Sequence, residues 1–178
     1  MSLKKILSLL LLSFVLIGNS TADFNDGLDA YNAGDHKTAL QEWLTLADQG
    51  DVRAQYNVGW MNAYGIGTLK DYEEAVVWYR KSADQGFVHA QFNLGNMYLR
   101  GDGVEKDDTL AFSWFIKAAE QGDAASQYNL GRMYIMGKGV VENMSEAKYW
   151  IKKAYENNDE NISILAEGVW ENFKLNSY

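Results

Sequence analysis

Three stretches of this chain repeat one another at a fixed interval: "YNVGWMNAYGIGT" from Tyr56, "FNLGNMYLRGDGV" from Phe92 and "YNLGRMYIMGKGV" from Tyr128. The interval is 36 residues both times, with no insertion. Aligned on itself at that period, the chain superimposes Gly50, Gly86 and Gly122, and likewise Gln55, Gln91 and Gln127. Asn57, Asn93 and Asn129 form a third column, Gly59, Gly95 and Gly131 a fourth, and Met61, Met97 and Met133 a fifth. The glycine pairs 65/67, 101/103 and 137/139 follow, then Ala75, Ala111 and Ala147, then Trp78, Trp114 and Trp150. A chain built this way folds as stacked copies of one supersecondary unit, each burying an apolar face that it cannot bury alone.

The unit reads as two helices. The first, helix A, runs roughly from Asp51 to Ala63, with Ala54, Val58 and Met61 at helical spacing. The second, helix B, runs roughly from Tyr72 to Asp84, with Ala75, Val76, Tyr79 and Ala83 on one side. Asp71 is the expected N-cap of helix B, with Glu74 closing a capping box. Asn143 and Glu146 repeat that pair, whereas Asp107 is followed by Leu110, which keeps the cap and loses the box. Gly50, Gly86 and Gly122 suit the left-handed position after a helix. The fold class is therefore all-α: an α/α solenoid of helix-turn-helix repeats.

Each Gly-x-Gly lies between the two helices. A phosphate-binding loop needs a preceding strand and a longer glycine spacing, G-x-G-x-x-G or G-x-x-x-x-G-K-[ST], and neither is present. These glycines are turn residues. Gly59, Gly95 and Gly131 fall inside helix A, where glycine costs about 1 kcal/mol against alanine. The compensation expected is close approach of the two helices.

Ala90, Leu94, Gly95, Tyr98, Gly101, Gly103 and Val104, then Ala111, Trp114, Ala118, Ala119 and Gly122, spell a pattern that resembles the Sel-1-like repeat. That family is a relative of the tetratricopeptide repeat with a longer loop between its helices. The resemblance covers residues 51–156. It implies a right-handed superhelix used for protein binding, often in bacterial envelopes, and no single activity. The expected repeats are 51–86, 87–122 and 123–158. Residues 23–50 resemble a truncated opening hairpin, carrying Gly27, Ala30, Tyr31, Gly34, Ala39, Leu40, Trp43 and Ala47. The first repeat departs from the pattern at Asn62, where the others have Tyr98 and Tyr134, and at Thr68, which predicts looser packing there. Residues 159–178 are expected to cap the array, through a stripe of Ile162, Leu165, Val169 and Phe173 together with Trp170.

Residues 1–22 read as a secretory signal. Lys4 and Lys5 precede an apolar run from Ile6 to Ile17, and Ser20-Thr21-Ala22 places small residues at a cleavage site after Ala22. The run is shorter than the roughly 20 residues that span a bilayer. The expected location is the periplasm of a Gram-negative bacterium or the cell exterior, with no stable membrane insertion after cleavage. The formal charge is −8, and removal of the two lysines leaves −10 on residues 23–178. Such a chain does not bind nucleic acid by bulk electrostatics. It has no cysteine, so an exported form relies on packing alone. With two histidines and no cysteine, no metal or other cofactor is expected.

No catalytic pattern stands out. His36 lies in the turn "GDHK" and reads as exposed; His89 lies early in helix A. The acid pairs Glu73-Glu74 and Asp107-Asp108 sit at helix starts, where carboxylates favour the helix dipole. Arg100-Gly101-Asp102 spells an adhesion tripeptide, but its glycine is a repeat column, so the match is accidental. Some members of the resembling family are described as β-lactamase-like hydrolases. Those are cysteine-rich, which argues against that activity here.

Columns identical in every copy serve the fold; columns that vary on the same helix are free to read a partner. By resemblance to the tetratricopeptide groove, the inner face of helix A presents Arg53, Tyr56, Trp60 and Tyr64 in the first repeat. The second presents His89, Phe92, Asn96 and Arg100, and the third Ala125, Tyr128, Arg132 and Met136. Arginine and aromatic residues are enriched at binding hot spots. Arg53, Arg100 and Arg132 suit an acidic or C-terminal carboxylate group. The function expected is non-catalytic protein binding after export, as an adaptor, scaffold or regulator of an envelope complex. The alternative is an immunity protein that neutralises an antibacterial effector such as a secreted phospholipase, since acidic charge speeds capture of a basic toxin.

Overall fold

A computed structural model describes residues 23–175. The proposed signal segment, 1–22, lies outside the described residues. Among the described residues the chain is helical throughout: α1 Phe24–Asn32, α2 His36–Asp48, α3 Val52–Tyr64, α4 Tyr72–Asp84, α5 Val88–Arg100, α6 Asp108–Glu120, α7 Ala124–Met136, α8 Met144–Tyr155 and α9 Glu160–Asn172. Each helix packs on the one before and the one after it, and α7 also meets α9. This is a repeat solenoid, with α3, α5 and α7 as the A helices and α4, α6 and α8 as the B helices. None of these helices is long and apolar enough to cross a membrane.

The B helices start where the sequence places them, at caps Asp71, Asp107 and Asn143. The capping box does not form at Asp71. The backbone N–H of each cap donates to a carbonyl of its own helix A: Asp71 to Asn62 at 2.9 Å, Asp107 to Tyr98 at 3.0 Å and Asn143 to Tyr134 at 3.1 Å. No cap N–H is left for a glutamate to receive. Glu74 instead accepts from the Trp78 indole at 2.6 Å.

Helix A ends on a left-handed glycine, Gly101 in the second repeat with φ 80°. The second glycine of each pair does something different. A Cβ on Gly103 would overlap the backbone of Tyr72, the first residue of the preceding repeat's helix B. Gly67 stands in the same way against His36, and Gly139 against Asp108. The loop is therefore a contact between units as well as a turn. The helix-interior glycines let helix B approach: a Cβ on Gly95 would come within 2.8 Å of the Phe115 ring, and one on Gly59 equally close to Tyr79.

Buried glutamines tie the units along another edge. Gln55 donates to Ala47 O at 3.0 Å, Gln91 to Ala83 O at 3.1 Å and Gln127 to Ala119 O at 3.2 Å. The side-chain oxygens of Gln55 and Gln91 accept from Gln85 and Gln121, each at 2.7 Å. In the third repeat the donor position is Asn157, one methylene shorter. It reaches Gly122 O at 3.0 Å, and Gln127 Oε1 is buried without a partner.

Three expectations change. Asn62 is as buried as Tyr98, its amide turned back onto Val58 O at 2.9 Å, so the site is filled rather than loose. His36 is half-buried, with its ring 4.8 Å from that of Tyr31 and its Nδ1 buried. Only half of the predicted stripe on α9 faces inward. Ile162, Val169 and Trp170 pack with buried Ala166 against Ile151 and Ala154, whereas Leu165 and Phe173 are 50% and 46% exposed. Small Ala166 meets small Ala154, so the helix turns that face inward for close approach instead of its bulkier one.

Two stability measurements follow from these contacts. Gly103→Ala and Gly86→Ala both place alanine at positive φ, but a Cβ on Gly86 meets nothing within 4 Å. In urea denaturation Gly86→Ala should cost about 1–2 kcal/mol from backbone strain alone. Gly103→Ala should cost about 3 kcal/mol or more, as overpacking adds to the strain. Equal losses would show that the loop glycine makes no contact between units. Asn157→Gln should raise stability by about 1 kcal/mol by donating to Gln127 Oε1.

Candidate binding groove

The A helices line a common surface. A cavity of about 480 Å³ opens over α5, floored by Phe92, Asn93 and Asn96. Tyr64 and Lys70 form one wall, Tyr128 and Asn129 the other, and Ile162 of α9 also lines it. Arg100 and Asp102 line it from the end of α5 and its loop. A second, smaller cavity of about 280 Å³ is lined by Leu28, Tyr31, Trp43, Tyr56, Asn57 and Trp60. The Trp60 and Tyr64 rings, 5.4 Å apart, stand between the two.

Of the residues predicted to face a partner, Tyr64, Asn96 and Arg100 line the larger cavity, and so do Phe92, Ala125 and Tyr128. Tyr56 and Trp60 line the smaller one. The others sit apart. Arg53 lies over the Phe24 ring at 4.2 Å and pairs with Asp51 at 3.7 Å, so its charge is spent at the N-terminal end. The exposed His89 ring lies 6.0 Å from Tyr56 and 5.5 Å from Phe87. Arg132 is exposed with its guanidinium 5.6 Å from the Tyr128 ring, and Met136 is exposed and lines neither cavity.

Lys70, Tyr72, Ile162 and the asparagine column were not predicted to line the groove. The column looked structural because it does not vary, and in one copy it is. Asn93 hydrogen-bonds the hydroxyls of Tyr56 and Tyr79. One repeat later the corresponding residues are Phe92 and Phe115, which have no hydroxyl. Asn129 is thereby released toward the cavity. Among the described residues Asn57, Asn96 and Asn129 make no side-chain hydrogen bond, and Arg100 makes neither a hydrogen bond nor an ion pair. The sequence signal was the tyrosine-to-phenylalanine change at two columns.

Burial pushes the Tyr56 and Tyr79 hydroxyls above the ordinary tyrosine range, and the Asn93 bond only partly opposes it. Burial, followed by the nearby Glu146 carboxylate, does the same at Tyr134. Among the described residues no group of three or more His, Cys, Asp or Glu could hold a metal ion.

Hairpins stacked in sequence, with their first helices forming one lined surface, define a helical-repeat protein. The Sel1 repeat profile matches residues 52–87, 88–123 and 124–159, and the chain belongs to the Sel1 repeat family. Sel1 repeats are protein-interaction modules, and no catalytic family is indicated. A Sel1 repeat protein from Oxalobacter formigenes is 35% identical, with a TM-score of 0.74 over 79% of this chain and 58% of that one. A protective antigen of uropathogenic Escherichia coli with an SLR fold, c5321, is also 35% identical, with a TM-score of 0.73 over 78% of this chain and 32% of that one. The chain thus spans less than two thirds of the length of each of these two relatives. Cysteine rich protein B of Helicobacter pylori shares the fold at 21% identity, with a TM-score of 0.58 over 74% of this chain and 94% of that one. No curated protein matches the chain.

Raised tyrosine pKa values fix the sign of a pH effect. The unfolded chain ionises its tyrosines near pH 10, while the folded one holds Tyr79 and Tyr56 neutral to higher pH. Their contribution is full below pH 10 and is lost as pH rises above it, by up to about 1.4 kcal/mol per pH unit for each residue. Urea midpoints between pH 9 and 11.5 should fall, and Tyr79→Phe should flatten the decline. An unchanged slope in that variant would show that Tyr79 ionises normally.

Proposed function

We propose that this protein is a non-catalytic adaptor or regulator that binds another protein along the α3–α5–α7 surface after export to the bacterial envelope. The observation that carries the reading is the set of unpartnered amides, with Arg100, beside half-buried aromatic rings in the groove. Amides without partners supply hydrogen bonds to an incoming backbone, and flat rings supply contact area at small entropic cost. Export rests on the charged start, apolar run and small-residue site within residues 1–22. In this reading 23–50 opens the array and 159–178 closes it.

The net charge of −10 on residues 23–178 favours one second reading, an immunity protein that captures a basic effector enzyme. Capture distinguishes the two. The full chain, tagged at its C-terminus and produced in a Gram-negative host, should be recovered from the periplasm beginning at Asp23. It should retain an envelope component; a stoichiometric enzyme whose activity falls on mixing would establish the immunity reading instead. Tyr64→Ala and Asn96→Ala should each weaken the complex by more than about 1 kcal/mol if they are hot spots, while Tyr149→Ala on exposed α8 surface should not. The reverse pattern would move binding to the outer face.

A further inference from the structure

Arg100 is out of keeping with its surroundings. Residues 23–178 carry 24 acidic side chains, yet among the described residues Arg100 pairs with none of them. It lines a cavity of about 480 Å³ together with Lys70 and a single carboxylate, Asp102. This patch of the groove is net positive inside a strongly acidic protein. Lys70 is already engaged, its ammonium 4.3 Å from the centre of the Tyr72 ring. Arg100 is the cation left for an incoming group, and its planar fork favours a carboxylate held by two hydrogen bonds.

The second cavity differs in character. Apart from the Asn57 amide its lining is aliphatic and aromatic, with the Tyr31 ring 5.9 Å from that of Trp43 and 6.0 Å from that of Trp60. It has room for one large apolar side chain. The two cavities share the Trp60–Tyr64 ridge, and Arg100 does not lie at an end of the surface. The aromatic cavity continues past it on one side; Tyr128, Asn129 and Ile162 continue past it on the other.

We propose that the groove holds an extended, through-running segment of another protein, with an internal Asp or Glu side chain on Arg100 and a large apolar side chain in the Leu28–Tyr31–Trp60 cavity. This rests on the groove being the binding surface and adds the partner's chemistry. An internal acid fits better than a chain end because lined surface extends in both directions from the cation. The unpartnered amides of Asn96 and Asn129 stand along that path, where a peptide backbone supplies donors and acceptors.

The test is selection of random ten-residue peptides on the immobilised full chain in two formats. In one the peptides are flanked by constant sequence on both sides; in the other each ends in a free carboxylate. The expected result is enrichment in the flanked format of Asp or Glu at one position, with an aromatic or aliphatic residue at a fixed offset. A synthetic winner, capped at both ends, should bind Arg100→Gln about tenfold more weakly. Replacing its acid by the amide should then cost that variant nothing further, and Arg100→Lys should restore part of the loss. Leu28→Glu, at a position 40% exposed, should abolish the apolar preference and leave the acidic one. Enrichment only with free C-termini would overturn the proposal in favour of a chain-end carboxylate. A motif without an acid, indifferent to Arg100→Gln, would overturn it while leaving the groove as the binding surface. No enrichment in either format would also overturn it, and the adaptor reading would still be judged separately by capture of the intact partner.

Discussion

The second glycine of each loop lies against the first residue of the preceding unit's helix B, backbone on backbone. Nothing larger than hydrogen fits there, and the backbone must also be left-handed. This contact fixes where one unit sits on the last, and the remaining features respect it. The caps at Asp71, Asp107 and Asn143 spend their own N–H groups on helix A, which pins the loop that carries the glycine. The buried glutamines then join the opposite ends of the helices, through Gln85 to Gln55 and Gln121 to Gln91. Two sets of directional contacts, one at each edge, hold an apolar interior that by itself is indifferent to register.

Much of this architecture is legible in the sequence because a period is self-checking. Every copy tests the reading of the others, and the helix limits, the caps and the close approach at Gly59 and Gly95 all emerged from aligned columns. The misreadings fall where that check fails. Glu74 was given a capping role because its spacing fits one; the donor it needed had been taken by a carbonyl of the preceding helix, which spacing does not reveal. Phe173 and Leu165 were placed inward by helical spacing, when shape decided the matter through Ala166 and Ala154. α9 has no second copy to correct such an error. In the groove, invariance misled in the other direction. Asn93 and Asn129 belong to one column, but their neighbours differ by hydroxyl groups, so one is consumed by the fold and the other is released.

Fold and recognition thus use the same positions, distinguished by what surrounds them. Tyr56 and Tyr79 lend the fold a hydrogen bond at Asn93, and phenylalanine in their places withdraws it at Asn129. Arginines divide similarly. Arg53 is absorbed by Phe24 and Asp51, and Arg80 by the hydroxyl of Tyr98, whereas Arg100 stays uncommitted. A repeat protein acquires a distinct surface in this way at little energetic cost, by leaving particular polar groups unused in a scaffold that is otherwise satisfied.

The walls of the groove are carried by helices that do not pack as a pair: Tyr64 lies on α3 and Ile162 on α9, with six junctions between consecutive helices from one to the other. Its width is therefore an accumulated angle, the sum of small rotations from one unit to the next. Such a surface acts like a caliper whose jaws are set at the hinge. A change of one methylene at a distant junction, of the kind that separates Asn157 from Gln121, would be magnified at the opening, and lineages could retune what fits between the jaws without replacing a single residue that touches it.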